Sequence, residues 1–175
     1  MNKEFIKKCL DIFEKKNIQK INTEKLASYE KMIDNKISSE FMYILENYEG
    51  IMLKEGYGFI SQQPSPFANT QGYDTFIEFI GLNTKYDLFT TYEIYKEQLP
   101  LGIYPIAEMD GGNYICISKN EEVYIWLHDY SEQEGLILAN TSMEKFILSI
   151  EKMPEENDDI DISQVKSEYA DDFWD

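Results

Sequence analysis

The stretch from Leu99 to His128 constrains this chain more than any other. Leu99-Pro100 breaks whatever precedes it, and three short runs follow: Ile103 to Ala107, Asn113 to Ser118 and Val123 to His128. Asp110-Gly111-Gly112 separates the first two, and Lys119-Asn120-Glu121 the last two. Runs of this length bounded by turn-forming residues read as strands. Gly-Gly between two of them is a hairpin turn needing positive φ, which glycine adopts without steric cost. Along the last run Val123, Ile125 and Leu127 alternate with Tyr124, Trp126 and His128. One face is aliphatic and the other aromatic, which predicts a central strand covered on both sides.

Helical patterns surround this β region. Phe5, Ile6, Cys9, Leu10, Ile12 and Phe13 follow helical spacing, with Lys7, Lys8, Lys15 and Lys16 mostly outside the stripe. Thr23 is placed to cap a second helix carrying Leu26, Tyr29, Met32 and Ile33. Ser38 is placed to cap a third, with Phe41, Ile44, Leu45 and Tyr48 on one face and Gly50 as the stop. Ile51 to Leu53 and Tyr57 to Ile60 read as short strands around a Lys54-Glu55-Gly56 turn, Gln62 to Gly72 as a loop, and Phe76 to Leu82 as a further strand. Lys85 to Gln98 has helical spacing with Leu88, Phe89, Tyr92 and Tyr95 inward, although Thr90 and Thr91 weaken it. Thr141 and Glu144 form a capping box for a closing helix with Met143, Phe146, Ile147 and Ile150 inward.

The 175 residues suit one domain, and 10 Phe, 13 Tyr and 2 Trp can supply its core. Pro154 ends the closing helix and the composition changes. The expected organisation is a body over residues 1–153 and an acidic tail over 154–175. Nine carboxylates stand against Lys166 in that tail, so it carries −8 of the formal −17 and the body −9. Such a run is expected to be solvated. Phe173 and Trp174 at its end are unusual for a purely solubilising segment. With Asp158, Asp159, Asp161, Asp171 and Asp172 they are the candidate partner-binding residues.

A charge of −17 repels nucleic acid and anionic membrane surfaces and steers basic partners inward. No segment approaches the roughly 18 apolar residues of a membrane span, and the charged N-terminus does not read as a signal peptide. A cytoplasmic protein is expected. Cys9 and Cys116 then read as buried thiols in a reducing compartment. All 16 basic residues are Lys, so the chain lacks the planar fork that phosphate and carboxylate sites favour.

Catalytic and metal chemistry find little footing. His128-Asp129 has no Ser, Cys or Lys motif near it in sequence and reads as a strand end. One His and two distant Cys provide no zinc spacing. Asp110-Gly-Gly-Asn113 lacks the phosphate-loop patterns, and Asp158-Asp-Ile-Asp161 lacks the glycine turn and terminal Glu of a calcium loop. Asn140-Thr-Ser matches a glycosylation acceptor, which a cytoplasmic location makes moot. No catalytic, cofactor-binding or metal-binding residue is expected, and no cofactor.

The order of pieces resembles the SUKH superfamily. The segments that carry the likeness are Ser38-Ser-Glu-Phe-Met-Tyr-Ile-Leu-Glu-Asn-Tyr-Glu-Gly50, Phe76 to Leu82, Leu99-Pro-Leu-Gly-Ile-Tyr-Pro-Ile-Ala107, Gly111-Gly-Asn-Tyr-Ile-Cys-Ile117, Val123-Tyr-Ile-Trp-Leu-His-Asp129 and the helix from Met143 to Ile150. The chain departs from that pattern at Ile37-Ser38, where the family usually has Leu-Pro, and at Leu127, where it often has an acidic residue. The resemblance implies an α+β fold, an antiparallel sheet flanked by helices, with N-terminal helices and a closing C-terminal helix. It also implies a non-enzymatic protein-binding role. Bacterial members are mainly immunity proteins paired with toxins, often nucleases or deaminases, and fungal relatives act in cell-wall regulation. A basic toxin domain is therefore the expected partner, because surfaces that hold nucleic acid are commonly basic. A regulatory or scaffold adaptor is the alternative, and an enzyme or small-ligand binder a more distant one.

Overall fold

Alternation along the strands decides which helices can cover which face of the sheet. The computed structural model describes residues 2–14, 20–84, 86–130 and 135–155. Among them the chain forms α1 (Lys3–Ile12), α2 (Thr23–Met32), α3 (Ser39–Tyr48), β1 (Tyr57–Gly58), α4 (Leu88–Tyr95) and β2 (Ile103–Glu108). A 3-10 turn follows at Asp110–Gly112, then β3 (Tyr114–Ser118), β4 (Val123–Trp126), β5 (Leu136–Asn140), α5 (Met143–Ser149) and β6 (Glu151–Lys152). The main sheet is antiparallel in the order β2-β3-β4-β5, and β1 pairs with β6 in a small second one. Gly111 and Gly112 do take positive φ, 71° and 78°, in the turn between β2 and β3.

Partners directly opposite in a sheet point to the same face. Ala107, Ile115, Ile125 and Ile137 therefore share one face, and Glu108, Tyr114, Trp126 and Leu136 the other. Phe79 bridges to Ala107 and joins the aliphatic side. There it meets Phe13, just past α1, edge-on at 5.9 Å and Phe41 of α3 at 6.2 Å. Phe146 of α5 packs on Phe59 at 4.9 Å and on Phe76 at 6.1 Å. On the aromatic side Tyr95 of α4 lies 5.1 Å from Tyr114 and 5.3 Å from Trp126, and Tyr92 lies 5.7 Å from Tyr104. Tyr29 of α2 packs on Phe89, and Tyr104 Oη donates to the Ile33 carbonyl at 2.7 Å. The result is an α+β protein with its antiparallel sheet between α1, α3 and α5 on one side and α2 and α4 on the other. Val123, Ile125, Trp126, Phe146 and Ile147 are all buried, as a covered central strand requires.

Several local expectations shift. Phe76 to Leu82 is extended but does not form a regular strand. The Gly50 and Leu53 amides donate to the Phe79 and Ile77 carbonyls, while Ile77 and Ile80 donate to the Glu108 and Ile106 carbonyls of β2. The segment thus continues the sheet past β2, with its ladder interrupted. Asn22, not Thr23, caps α2, its Oδ1 accepting from the Glu24 and Lys25 amides. Ser142, not Thr141, caps α5 because β5 holds the chain in extended form up to Asn140. Leu10 is 52% exposed; one step past Cys9 it sits about 100° around the helix from the Phe5, Cys9, Ile12 stripe. Strands β5 and β6 were not foreseen. Leu136-Ile-Leu-Ala139 is apolar throughout, and periodicity alone does not separate such a short run from helix. Cys9 and Cys116 are both buried and are not joined in a disulfide, and burial pushes the Cys116 thiol well up.

Candidate functional site

Cover on the aromatic face is incomplete. Between α4 and the 76–80 segment lies an open cleft of about 320 Å³. Thr91, Ile94 and Tyr95 of α4 form one wall; Glu78, Ile80, Glu108 and Tyr114 form the floor; Thr84 and Tyr86 close one end. Ile94 and Tyr86 stand at its rim, 55% and 61% exposed.

The loop that supplies Thr84 and Tyr86 is tied down at two points. Glu49, fully buried after α3, accepts from the Asn83 amide at 2.6 Å and from Asn83 Nδ2 at 3.2 Å. This close approach needs glycine at 81, where a Cβ would come within 1.8 Å of Glu49 Cγ. Lys25 of α2 donates to the Leu82 carbonyl and to Asp87 Oδ2, the latter at 2.6 Å. Burial would raise the Asp87 carboxyl, but hydrogen bonds from Lys25 and Thr90 outweigh it and hold the group below the usual range. Asp87 is also the N-cap of α4, with Oδ1 accepting from the Thr90 amide at 2.9 Å. One ion pair therefore fixes both the loop and the start of the helix that walls the cleft.

The floor is electrostatically unusual. Phe79 pairs with Ala107, and the Glu108 amide donates to the Glu78 carbonyl at 2.9 Å, which sets Glu78 of the extended 76–80 segment opposite Glu108 of β2. Among the described residues neither carboxylate has an ion pair or a side-chain hydrogen bond. Like charges so placed are destabilising, by roughly 0.2–1 kcal/mol. Burial, with the charge of Glu108 second, raises the Glu78 carboxyl above its ordinary value. The Tyr114 hydroxyl is pushed up by burial first, then by its hydrogen bond to Tyr95 and the charges of Tyr95 and Glu108. A concave, tyrosine-walled site of negative potential can bind a cationic group.

The sheet edges offer less. The 76–80 segment occupies the outer side of β2, and at β5 the Gln62 and Gln63 amides donate to Ala139 and Leu138 carbonyls at 3.3 and 3.1 Å. Addition of a partner strand would have to displace these. Asp158, Asp159, Asp161, Asp171, Asp172, Phe173 and Trp174 lie outside the described residues. His128 is part of the turn scaffold: Nε2 lies 3.0 Å from Asp129 Oδ1, the amide bonds to Asn113 Oδ1, and the ring packs against Gly112. Among the described residues no group of three or more His, Cys, Asp or Glu could hold a metal, and no helix is long and apolar enough to cross a membrane. Sequence reasoning passed over Glu78 and Glu108. The signal for Glu78 was a lone charge inside the apolar run Phe76-Ile-Glu-Phe-Ile80.

An antiparallel sheet clasped by helices, with an acidic cleft on its aromatic face, sets the architecture against which known families can be compared. The model of the SMI1 / KNR4 family (SUKH-1) matches residues 20–149, and the chain belongs to that family. Its domains are generally non-enzymatic and act by binding. A curated relative, the SPbeta prophage-derived uncharacterized protein YokK of Bacillus subtilis (strain 168), is 30% identical over 169 residues, covering 87% of each chain. No solved structure matches the chain significantly.

Proposed function

We propose that this protein is an immunity protein, working in the cytoplasm by binding a cognate bacterial toxin domain and blocking its basic active surface. The observation that carries the reading is the cleft, where two carboxylates held side by side and three tyrosines meet a family that works by binding. The formal charge of −17 steers a basic domain toward it and repels the nucleic acid that such a domain would attack. Residues 1–153 are the binding body and 154–175 an accessory tail. Its Asp158, Asp159, Asp161, Asp171 and Asp172 speed association, and Phe173 and Trp174 serve as apolar anchors.

The test is to find whether a neighbouring gene encodes a large secreted protein and to co-express its C-terminal domain with this chain, scoring survival and co-purification. Restored growth with a recoverable complex is expected. A toxic, folded domain that neither binds nor is neutralised would overturn the reading. Truncation after Met153 should leave the fold intact and slow association most at low ionic strength, because exposed charges act over about a 10 Å Debye length at 0.1 M salt. Equal on-rates and affinities at two salt concentrations would remove the tail from the mechanism.

A further inference from the structure

We propose that the cleft between α4 and the 76–80 segment receives one arginine side chain of the protein partner, its guanidinium seated between Glu78 and Glu108. The inference rests on the reading of this protein as a binder of a basic domain and adds the side chain that enters.

Size is the first argument. At about 320 Å³ the cleft is at the lower end of the roughly 300–1,000 Å³ typical of small-ligand sites, room for a single long side chain and not for a helix. Charge is the second. The two carboxylates repel each other across adjacent strands, and none of the described lining residues is basic. A cation placed between them turns that repulsion into two attractions. Shape is the third. A guanidinium is planar, offers five N–H donors in a fixed fork and stacks on aromatic rings, whereas an ammonium is a compact, strongly hydrated point charge. Tyr95 and Tyr114, with Tyr86 at the rim, line the cleft and are the aromatic side chains beside which a guanidinium would lie. The buried Thr91 stands in the α4 wall with Tyr95 and carries no charge. A hard metal ion is a poorer fit, since calcium takes six to eight oxygen ligands and two carboxylates fall short. A second copy of this chain cannot supply the group, because every basic residue in it is Lys. The arginine must come from a different protein.

The test uses full-length protein and three probes, N-acetyl-argininamide, N-acetyl-lysinamide and N-acetyl-citrullinamide, followed by amide chemical shifts. Expected shifts cluster at residues 78–80, 91–95, 108 and 114, are largest for the arginine probe, smaller for lysine and negligible for the uncharged citrulline. The Glu78→Gln/Glu108→Gln variant should bind the arginine probe about tenfold more weakly or worse, the scale of losing charge-assisted hydrogen bonds. Its melting temperature should stay at or above that of the parent, which separates lost binding from lost folding. Shifts spread over the whole acidic surface, equal response to lysine, or unchanged binding in the double variant would each overturn the inference. The two readings fail separately. If the probe binds here but no toxin is neutralised, the immunity function falls and the site stands. If the double variant neutralises a toxin with undiminished affinity, the arginine site falls and the function stands.

Discussion

The two faces of the sheet are built from alternate residues of the same strands, yet they are finished differently. On the aliphatic face Ala107, Ile115, Ile125 and Ile137 lie beneath α1, α3 and α5, and Phe13, Phe41, Phe79 and Phe146 fill the space between. Buried Tyr48 of α3, stacked on Phe13 at 4.6 Å, brings a hydroxyl to that side, but burial of apolar area supplies most of the stability. The aromatic face under α2 and α4 is mixed. Tyr104, Tyr114 and Trp126 are buried, but they bring hydroxyls and an indole N–H that need partners, and the row ends in Glu108 and Glu78 at an open cleft. One side is closed by packing; the other leaves two carboxylates and three tyrosines lining an open cleft.

That contrast can be broken by substitution, starting where the effect should be greatest. Ile125 is fully buried at the centre of the aliphatic face, and Ile125→Ala should cost about 2–5 kcal/mol in denaturant titration. A loss under about 1 kcal/mol would mean that this face is not the close-packed one. On the other face, among the described residues, the buried Tyr29 hydroxyl has no hydrogen-bond partner, and its ionisation is pushed far up, by burial first. Tyr29→Phe should therefore stabilise the protein by about 1 kcal/mol, by the same titration, because it removes a desolvated group and keeps the ring against Phe89. A destabilised variant would show that the hydroxyl is satisfied.

The smallest effect should come at the cleft. Glu78→Gln removes the like-charge contact with Glu108 and should raise stability at neutral pH by less than about 1 kcal/mol. Its pH dependence has a definite sign. The folded-state pKa of Glu78 is raised, so its contribution is fully present below the unfolded pKa and is lost as pH rises through the folded value. The variant's advantage should shrink as pH falls from about 7 toward 4. Of the described residues that line the cleft with Glu78, Glu108 is the other carboxylate. An advantage that grows on acidification would contradict the geometry of the pair.

Much of this was legible in the chain itself, for physical reasons. The alternation from Val123 to His128 marked a doubly covered strand, since side chains in a strand point to opposite faces in turn. Ser38 before Phe41, Ile44, Leu45 and Tyr48 marked α3 because a hydroxyl cap and an apolar stripe act within one turn of backbone. The glycines at 111 and 112 marked the hairpin because only their local φ matters. These are short-range properties, and the order of such pieces along the chain also pointed to the family. Other features depended on residues far apart in the chain. Leu136 to Asn140 became a strand because β4 provided its ladder. The need for glycine at 81 came from Glu49, and the anchoring of α4 from Lys25 on another helix. Glu78 and Glu108 are thirty residues apart in the chain; only the pairing of the 76–80 segment with β2 sets them side by side.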